Sequence, residues 1–155
     1  MDQPVDSPVE WVSNHIRRYV ETGGAEGHDF HGATALLLTT TGRRSGEAKR
    51  TALYYMPDGA RVVVVACQDG APTHPAWYLN LQQDQHCTVQ VRDRIMRATA
   101  TTAGSQERSR LWDLSLTNWP AYADYQAKTE REIPVVVLTP TGQAKGQARE
   151  GQATA

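Results

Sequence analysis

Short apolar runs punctuated by glycine and proline divide this chain into strands, while stretches in which apolar residues recur at helical spacing mark helices. Trp11, Val12, Ile16, Tyr19 and Val20 recur at that spacing before Gly23-Gly24, so an amphipathic helix opens the ordered part. Strands are expected at residues 34–40, 49–56 and 61–66, with Pro57-Asp58-Gly59 as a tight turn between the second and third. The connections are too short for parallel crossovers, which need about a dozen residues or more, so these strands read as an antiparallel meander. Pro75 opens a second helix through Trp77, Tyr78 and Leu81. Two further strands, 87–91 and 95–102, turn at Asp93-Arg94. Ser105 is the candidate N-cap of a helix over 106–116, Pro120 opens a short helix carrying Tyr122 and Tyr125, and a last strand covers 133–139.

Six short strands in hairpins with helices at their ends exclude a doubly wound sheet. They predict an α+β fold built on a six-stranded antiparallel β-barrel that closes its own edges, with flanking helices. A barrel that narrow has no room inside for a large ligand, so a cofactor is expected in an outer groove of a monomer, or in one completed by a second subunit of a homodimer. The 155 residues suit one domain. Residues 1–10 read as a loose N-terminus, 11–140 as the barrel domain, and 141–155, which have no large apolar residue, as a disordered tail.

Charge then singles out one turn. The net charge is −1, so no global positive field draws nucleic acid, yet Arg43, Arg44, Lys49 and Arg50 fall within eight residues of the turn containing Gly42, Ser45 and Gly46. Glycines bring backbone N–H groups close to a ligand, and clustered guanidinium groups suit phosphate or carboxylate, so a small anionic partner is expected there. Cys67 and Cys87 lack metal-type pairing and read as reduced thiols of a cytosolic protein; Cys67 reads as a half-buried filler. His28 and His31 lie among glycines with a single carboxylate between them, which reads as a loop and not as a metal site. The longest apolar runs, such as 62–66, are far too short to span a bilayer. Ser45 is not in a Gly-x-Ser-x-Gly setting, no phosphate-loop or dinucleotide-binding glycine pattern occurs, and no carboxylate pair points to glycosidase chemistry. Cations for anchoring and aromatic residues for packing, with few acid-base groups, fit a reaction whose chemistry an organic cofactor carries.

Three stretches carry a resemblance: Leu-Leu-Leu-Thr-Thr-Thr-Gly-Arg-Arg-Ser-Gly at 36–46, Gly-Ala-Pro-Thr-His-Pro-Ala-Trp-Tyr-Leu-Asn-Leu at 70–81, and Tyr-Gln-Ala-Lys-Thr-Glu-Arg-Glu-Ile-Pro-Val at 125–135. In that order they resemble the deazaflavin-dependent nitroreductase family over about residues 11–139. The resemblance implies an FMN-binding-like split β-barrel, reduced coenzyme F420 as hydride donor, electrophilic acceptors such as quinones, nitroaromatics or enones, and an actinobacterial setting. Carried over by position, Arg43, Arg44, Ser45, Lys49 and Arg50 would hold the coenzyme's phosphate and acidic tail. Tyr54 and the segment with Ala66, Cys67, Gln68, Gly70 and Ala71 would lie near the deazaflavin, Trp77 would wall the groove, and Tyr122 and Tyr125 would be the catalytic, substrate-side hydroxyls. Cys67 stands where serine is common in the family, and Gln68-Asp69 where a basic residue and glycine are frequent.

Three classes of function stay open on this reading: an F420H2-dependent reductase, a carrier that binds the coenzyme without turnover, and a split barrel using FMN or haem. The first helix, with Trp11, Ile16 and Tyr19 on one face and Arg17 and Arg18 beside them, is expected to pack on the core. Peripheral contact with the inner face of the cell membrane is the other use of that face.

Overall fold

The computed structural model describes residues 3–143. Among them the chain runs β1 (Val5–Asp6), α1 (Glu10–Thr22), β2 (Asp29–Phe30), β3 (Ala33–Thr41), β4 (Ala48–Tyr54), β5 (Met56–Asp58), β6 (Arg61–Val65), a single 3₁₀ turn (Gln68–Gly70), α2 (Ala76–Gln83), β7 (His86–Val91), β8 (Arg94–Thr102), α3 (Ser105–Asn118), α4 (Tyr122–Ala127) and β9 (Val135–Gln143). The strands form one sheet in the order β1-β4-β3-β7-β8-β9-β6-β5, with β2 paired to β3. Only the β1–β4 pair is parallel.

The closed six-stranded barrel expected from the sequence is therefore corrected to a nine-stranded sheet whose hydrogen-bonded path has two ends. The stretch read as one strand over 49–56 changes partners at Tyr55. Its N–H donates to Thr34 O, and its carbonyl accepts from Thr34 Oγ1 and Asn118 Nδ2. Before Tyr55 the chain pairs with β3; after it, Met56–Asp58 pairs with β6 at the far end of the path. The two ends of the sheet are thus joined through the chain and not through a ladder, so the strands do not form a simple meander.

Strand periodicity sorts the core. Leu36 and Leu38 of β3, Val62 and Val64 of β6, Val89 of β7, Ala98 and Ala100 of β8, and Val136 and Leu138 of β9 point into one interior with Tyr55 and with Trp77, Tyr78 and Leu81 of α2. The intervening residues face helices: Leu37 meets Ile16 and Tyr19 of α1, while Val63, Val135 and Val137 meet Leu111 of α3. Full burial of Ile16 and Tyr19 contributes about 1.5–3 kcal/mol each from removed apolar surface. The Tyr19 hydroxyl donates to Ala35 O and accepts from Arg92 N–H, and burial pushes its pKa up to about 12. Gly24 has φ +82°, and a Cβ there would meet Arg92 Cα at 2.4 Å, so this glycine lets α1 end against the β7–β8 hairpin.

Both termini depart from expectation. Val5–Asp6 pairs with Lys49 and Arg50, so residues 1–10 are not wholly loose. Strand β9 continues through Pro140 to Gln143, opposite Met96 to Ala98, where a register shift at Arg97/Ala98 accommodates the proline; the expected tail from 141 loses its first three residues, and 144–155 lie outside the described residues. Gly104, and not Ser105, occupies the N-cap of α3, which has no side-chain cap.

Candidate functional site

The β3–β4 hairpin builds the basic turn. Gly42 N–H donates to Glu47 O, Gly46 N–H to Gly42 O, and Ser45 Oγ accepts from Glu47 N–H, so Ser45 closes the turn. The cations then separate by partner. Arg43 is anchored to α2: its backbone N–H and its Nη1 both donate to Asn80 Oδ1 at 3.1 Å, while Asn80 Nδ2 donates to Thr40 Oγ1. Arg44 is exposed and forms no hydrogen bond or ion pair within the described residues. Lys49 meets Glu47 in a surface pair at 3.2 Å, an interaction weak enough to yield to a ligand. Arg50, expected to hold an anion, is instead taken by Asp6 of β1 in a two-point ion pair with contacts of 2.6 and 3.2 Å.

A cavity of about 260 Å³ lies at the other end of β4. It is lined by Tyr54, Trp119, Tyr122 and Tyr125, by Trp11, Val12 and His15 of α1 with Phe30, and by Cys67 and Asp69. The rings are ordered by their neighbours: Tyr54 packs on Trp119 at 4.7 Å, Phe30 stacks on His15 at 4.1 Å, and Trp11 lies nearly parallel to Phe30 at 6.0 Å. Tyr122 is 5% exposed, yet its hydroxyl has no protein hydrogen-bond partner among the described residues. Burial, then the neighbouring Cys67, Tyr54 and Tyr125, raises the Tyr122 pKa far above the ordinary phenol value, so the group stays a protonated donor. The Tyr125 hydroxyl is at the limit of a hydrogen bond from Trp119 Nε1, at 3.5 Å. Burial also raises the pKa of Tyr54 and of the Cys67 thiol, which keeps Cys67 out of the nucleophilic thiolate form.

The remaining candidates support the cavity from outside. Ala66 is fully buried, its N–H donating to Pro134 O; Gln68 Nε2 donates to Thr73; Gly70 packs on α4; and Ala71 N–H donates to Gln68 O. Trp77, expected to wall a groove, is instead in the barrel interior. His28 is buried with Nε2 2.8 Å from the Tyr55 hydroxyl. No group of three or more metal-binding side chains occurs among the described residues. A larger recess of about 500 Å³ beside the end of α2, with Gln82, Gln83, Asp84 and His86, contains none of the candidates.

Sequence reasoning missed Asn80, Trp119, Phe30, His15 and Arg131 as parts of the site. Asn80 left a signal, being the one strongly polar residue in the run from Ala76 to Leu81, and it is only 4% exposed. Arg131 donates to Ala66 O, Cys67 O, Ala71 O and His74 Nδ1, organising the loop along the cavity edge.

From Lys49 to Tyr54 the strand advances about 17 Å, at roughly 3.3–3.4 Å per residue. Flat aromatic walls therefore stand at one end of β4 and available cations at the other, which suits an elongated molecule with a planar ring and a phosphorylated, acidic tail.

Comparison with known proteins agrees with this geometry. The profile of the F420H(2)-dependent quinone reductase family matches residues 11–140. The chain is 36% identical over 135 residues to the F420H(2)-dependent quinone reductase Rv1261c of Mycobacterium tuberculosis, covering 84% of this chain and 91% of the relative. It is 38% identical over 108 residues to the putative F420H(2)-dependent quinone reductase Rv3178 of the same species, covering 68% and 88%. Among solved structures, one described as a domain-swapped dimer superposes with a TM-score of 0.66 at 34% identity, covering 85% of this chain and 99% of that one. An F420-H2 dependent reductase superposes at 0.63 and 35% identity, covering 67% and 92%. A haem storage protein of Vibrio cholerae, at 0.55 and 10% identity over 84% and 90%, shares the fold alone. With a profile spanning nearly the whole described fold and relatives at this identity, the chain belongs to the F420H(2)-dependent quinone reductase family.

Proposed function

We propose that this protein reduces a quinone, or a nitroaromatic or enone of similar shape, with reduced coenzyme F420. The observation that carries the reading is the hydroxyl of Tyr122, a buried residue lining an aromatic cavity at the ring end of β4, which pairs with no protein group among the described residues. The donor set fits the coenzyme: Arg43, Arg44 and Lys49 would take its phosphate and carboxylates, and Tyr54 and Cys67 would line the ring position. When bound, the coenzyme supplies a hydride. The chain's part is to orient both partners, exclude water and stabilise the negative charge that develops on the acceptor oxygen.

Tyr122, neutral at physiological pH, donates a hydrogen bond to that oxygen, with Tyr125 beside it; the two rings are 6.4 Å apart on one helix. The proton that completes the reduction is taken from solvent at the open edge of the cavity, because the raised Tyr122 pKa opposes leaving a tyrosinate. Trp11 and Phe30 form the acceptor's outer wall. Trp11 is 62% exposed near the start of α1, with Val9 exposed two residues before it and Arg17 and Arg18 exposed further along the helix. That surface fits a cytoplasmic enzyme touching the inner leaflet, where lipid-soluble quinones reside. No helix among the described residues is long and apolar enough to cross a membrane.

The test is oxidation of the reduced coenzyme by the purified protein against quinones, nitro compounds and enones, with parallel titrations of F420, FMN and haem. Turnover with quinones and binding of F420 alone is the expected result. Tight F420 binding without turnover on any acceptor would make the protein a carrier, and preference for FMN or haem would overturn the cofactor assignment.

A further inference from the structure

Two parts of the ring cavity's lining come from segments distant in sequence, and Arg131 joins them, its side chain holding one and its backbone carbonyl the other. Residues 68–70 take left-handed backbone in succession, with φ of 44° at Gln68, 54° at Asp69 and 79° at Gly70. Non-glycine residues hold that conformation only where their surroundings impose it. Arg131 brackets this turn. Its Nη2 donates to Cys67 O at 2.7 Å and its Nη1 to Ala66 O at 3.2 Å on one side; Nε donates to Ala71 O at 2.8 Å and Nη1 to His74 Nδ1 at 3.0 Å on the other. A planar fork with several fixed donors can serve four acceptors in this way, and an ammonium cannot.

The same segment is fastened to α4. Gln126 Nε2 donates to Arg131 O at 2.8 Å, and Gln126 Oε1 accepts from Ile133 N–H at 2.9 Å. The turn also rests directly on that helix: a Cβ on Gly70 would lie 2.7 Å from Tyr125 O. The edge carrying Cys67 and Asp69 and the wall carrying Tyr122 and Tyr125 therefore share one anchor.

We infer that Arg131 is a positioning residue for the ring subsite: by fixing residues 66–74 against α4 it sets the width of the slot that receives the deazaflavin, without touching ring or acceptor. This rests on the F420 reading above, and it concerns ring affinity, which the basic turn does not control.

The experiment compares two probes by their intrinsic fluorescence: oxidised F420, and the deazaflavin-ribityl fragment that lacks the phosphate and tail. Wild type, Arg131→Lys, Gly70→Ala and the double variant Arg43→Ala/Arg44→Ala are titrated at low and physiological ionic strength, with thermal unfolding in parallel. Arg131→Lys is expected to weaken both probes by the same factor, about tenfold or more, independent of salt, and to speed amide exchange at 67–71. The basic-turn variant is expected to weaken F420 and leave the fragment unchanged. Gly70→Ala pushes the same turn off α4 with Arg131 intact and should reproduce the loss for both probes. A merely structural role would lower the folded fraction while the folded protein kept its fragment affinity. Wild-type fragment affinity in folded Arg131→Lys overturns the proposal, and if that variant does not fold, wild-type affinity in Gly70→Ala does so. Failure of the wild type to bind F420 would instead overturn the cofactor reading itself.

Discussion

Removing both guanidinium groups of the basic turn separates anchoring from chemistry, because the two arginines are held so differently. Arg44 is exposed and without a partner in the described structure, so its loss should change stability by no more than about 0.5 kcal/mol. Arg43 loses one side-chain bond to Asn80 Oδ1, while its backbone N–H still donates to that oxygen, so the further cost to the fold is about 1–2 kcal/mol. Binding should suffer more. A charged hydrogen bond to phosphate or carboxylate contributes about 1.5–3 kcal/mol, so Arg43→Ala/Arg44→Ala should weaken F420 binding by about 3 kcal/mol or more at low salt. At about 1.4 kcal/mol per decade that is roughly a hundredfold rise in Kd. Arg44 is exposed and Arg43 only partly buried, so screening at physiological ionic strength should shrink the effect to about tenfold. Fluorescence titration at two salt concentrations, with a melting curve for each protein, measures all of this. Unchanged affinity at low ionic strength in a variant with a normal melt would remove the basic turn from the site.

Two further outcomes test the ring end and the interior. Tyr122→Phe keeps the wall and deletes the unpartnered donor, so kcat should fall about tenfold or more with F420 affinity nearly unchanged, and Tyr125→Phe should cost less because its hydroxyl already lies near Trp119 Nε1. Wild-type turnover in both, with hydride transfer shown to be rate-limiting by isotope effect, would take charge stabilisation at the acceptor oxygen away from both hydroxyls. His28, whose pKa is lowered first by burial and then by Arg92, favours the neutral form in the folded state; the unfolded chain binds more protons, so its contribution is full above about pH 6.5 and is lost as pH falls through the depressed value. Melting temperature should accordingly decline between pH 7 and 5 with a slope that His28→Gln reduces, and an identical slope in that variant would locate the acid sensitivity elsewhere.

Much of the fold was legible because strands and helices carry local signals: alternating Leu and Val runs, helical spacing in α1, and glycine-rich turns. Partner choice is not local. Residues 49–56 are strand-like throughout, and only the Thr34 and Asn118 bonds at Tyr55, set by residues 21 and 63 positions away, divide them between the two ends of the sheet. The short β1 is invisible in composition and is fixed by the Asp6 pair with Arg50, 44 residues on. The same contact explains why four cations were legible as a cluster while their availability was not. At the C-terminus, small and polar residues read as tail, yet backbone pairing with β8 needs no large side chain. For Trp77 the helix was legible but its inward face was not, since α2 buries residues on both Trp77 and Tyr78 directions.

The arrangement divides labour along β4. Affinity for an acidic tail is concentrated in the hairpin turn, where exposed charges make it salt-dependent, whereas the reacting ring is held among apolar walls where salt has little reach. Those walls differ in how firmly they are held. Arg131 and Gln126 tie α4 and the Cys67 edge together, while the first turns of α1 are held by Val12 packing beside Ile16 and Tyr19 and by the His15 bond to Gly27 O. Trp11 keeps most of its surface in solvent. A side chain so exposed yields to acceptors of different width while the buried Tyr122 keeps its place, so changes at Trp11 should alter which acceptor is reduced, and changes at Arg131 should alter how well any acceptor meets the ring.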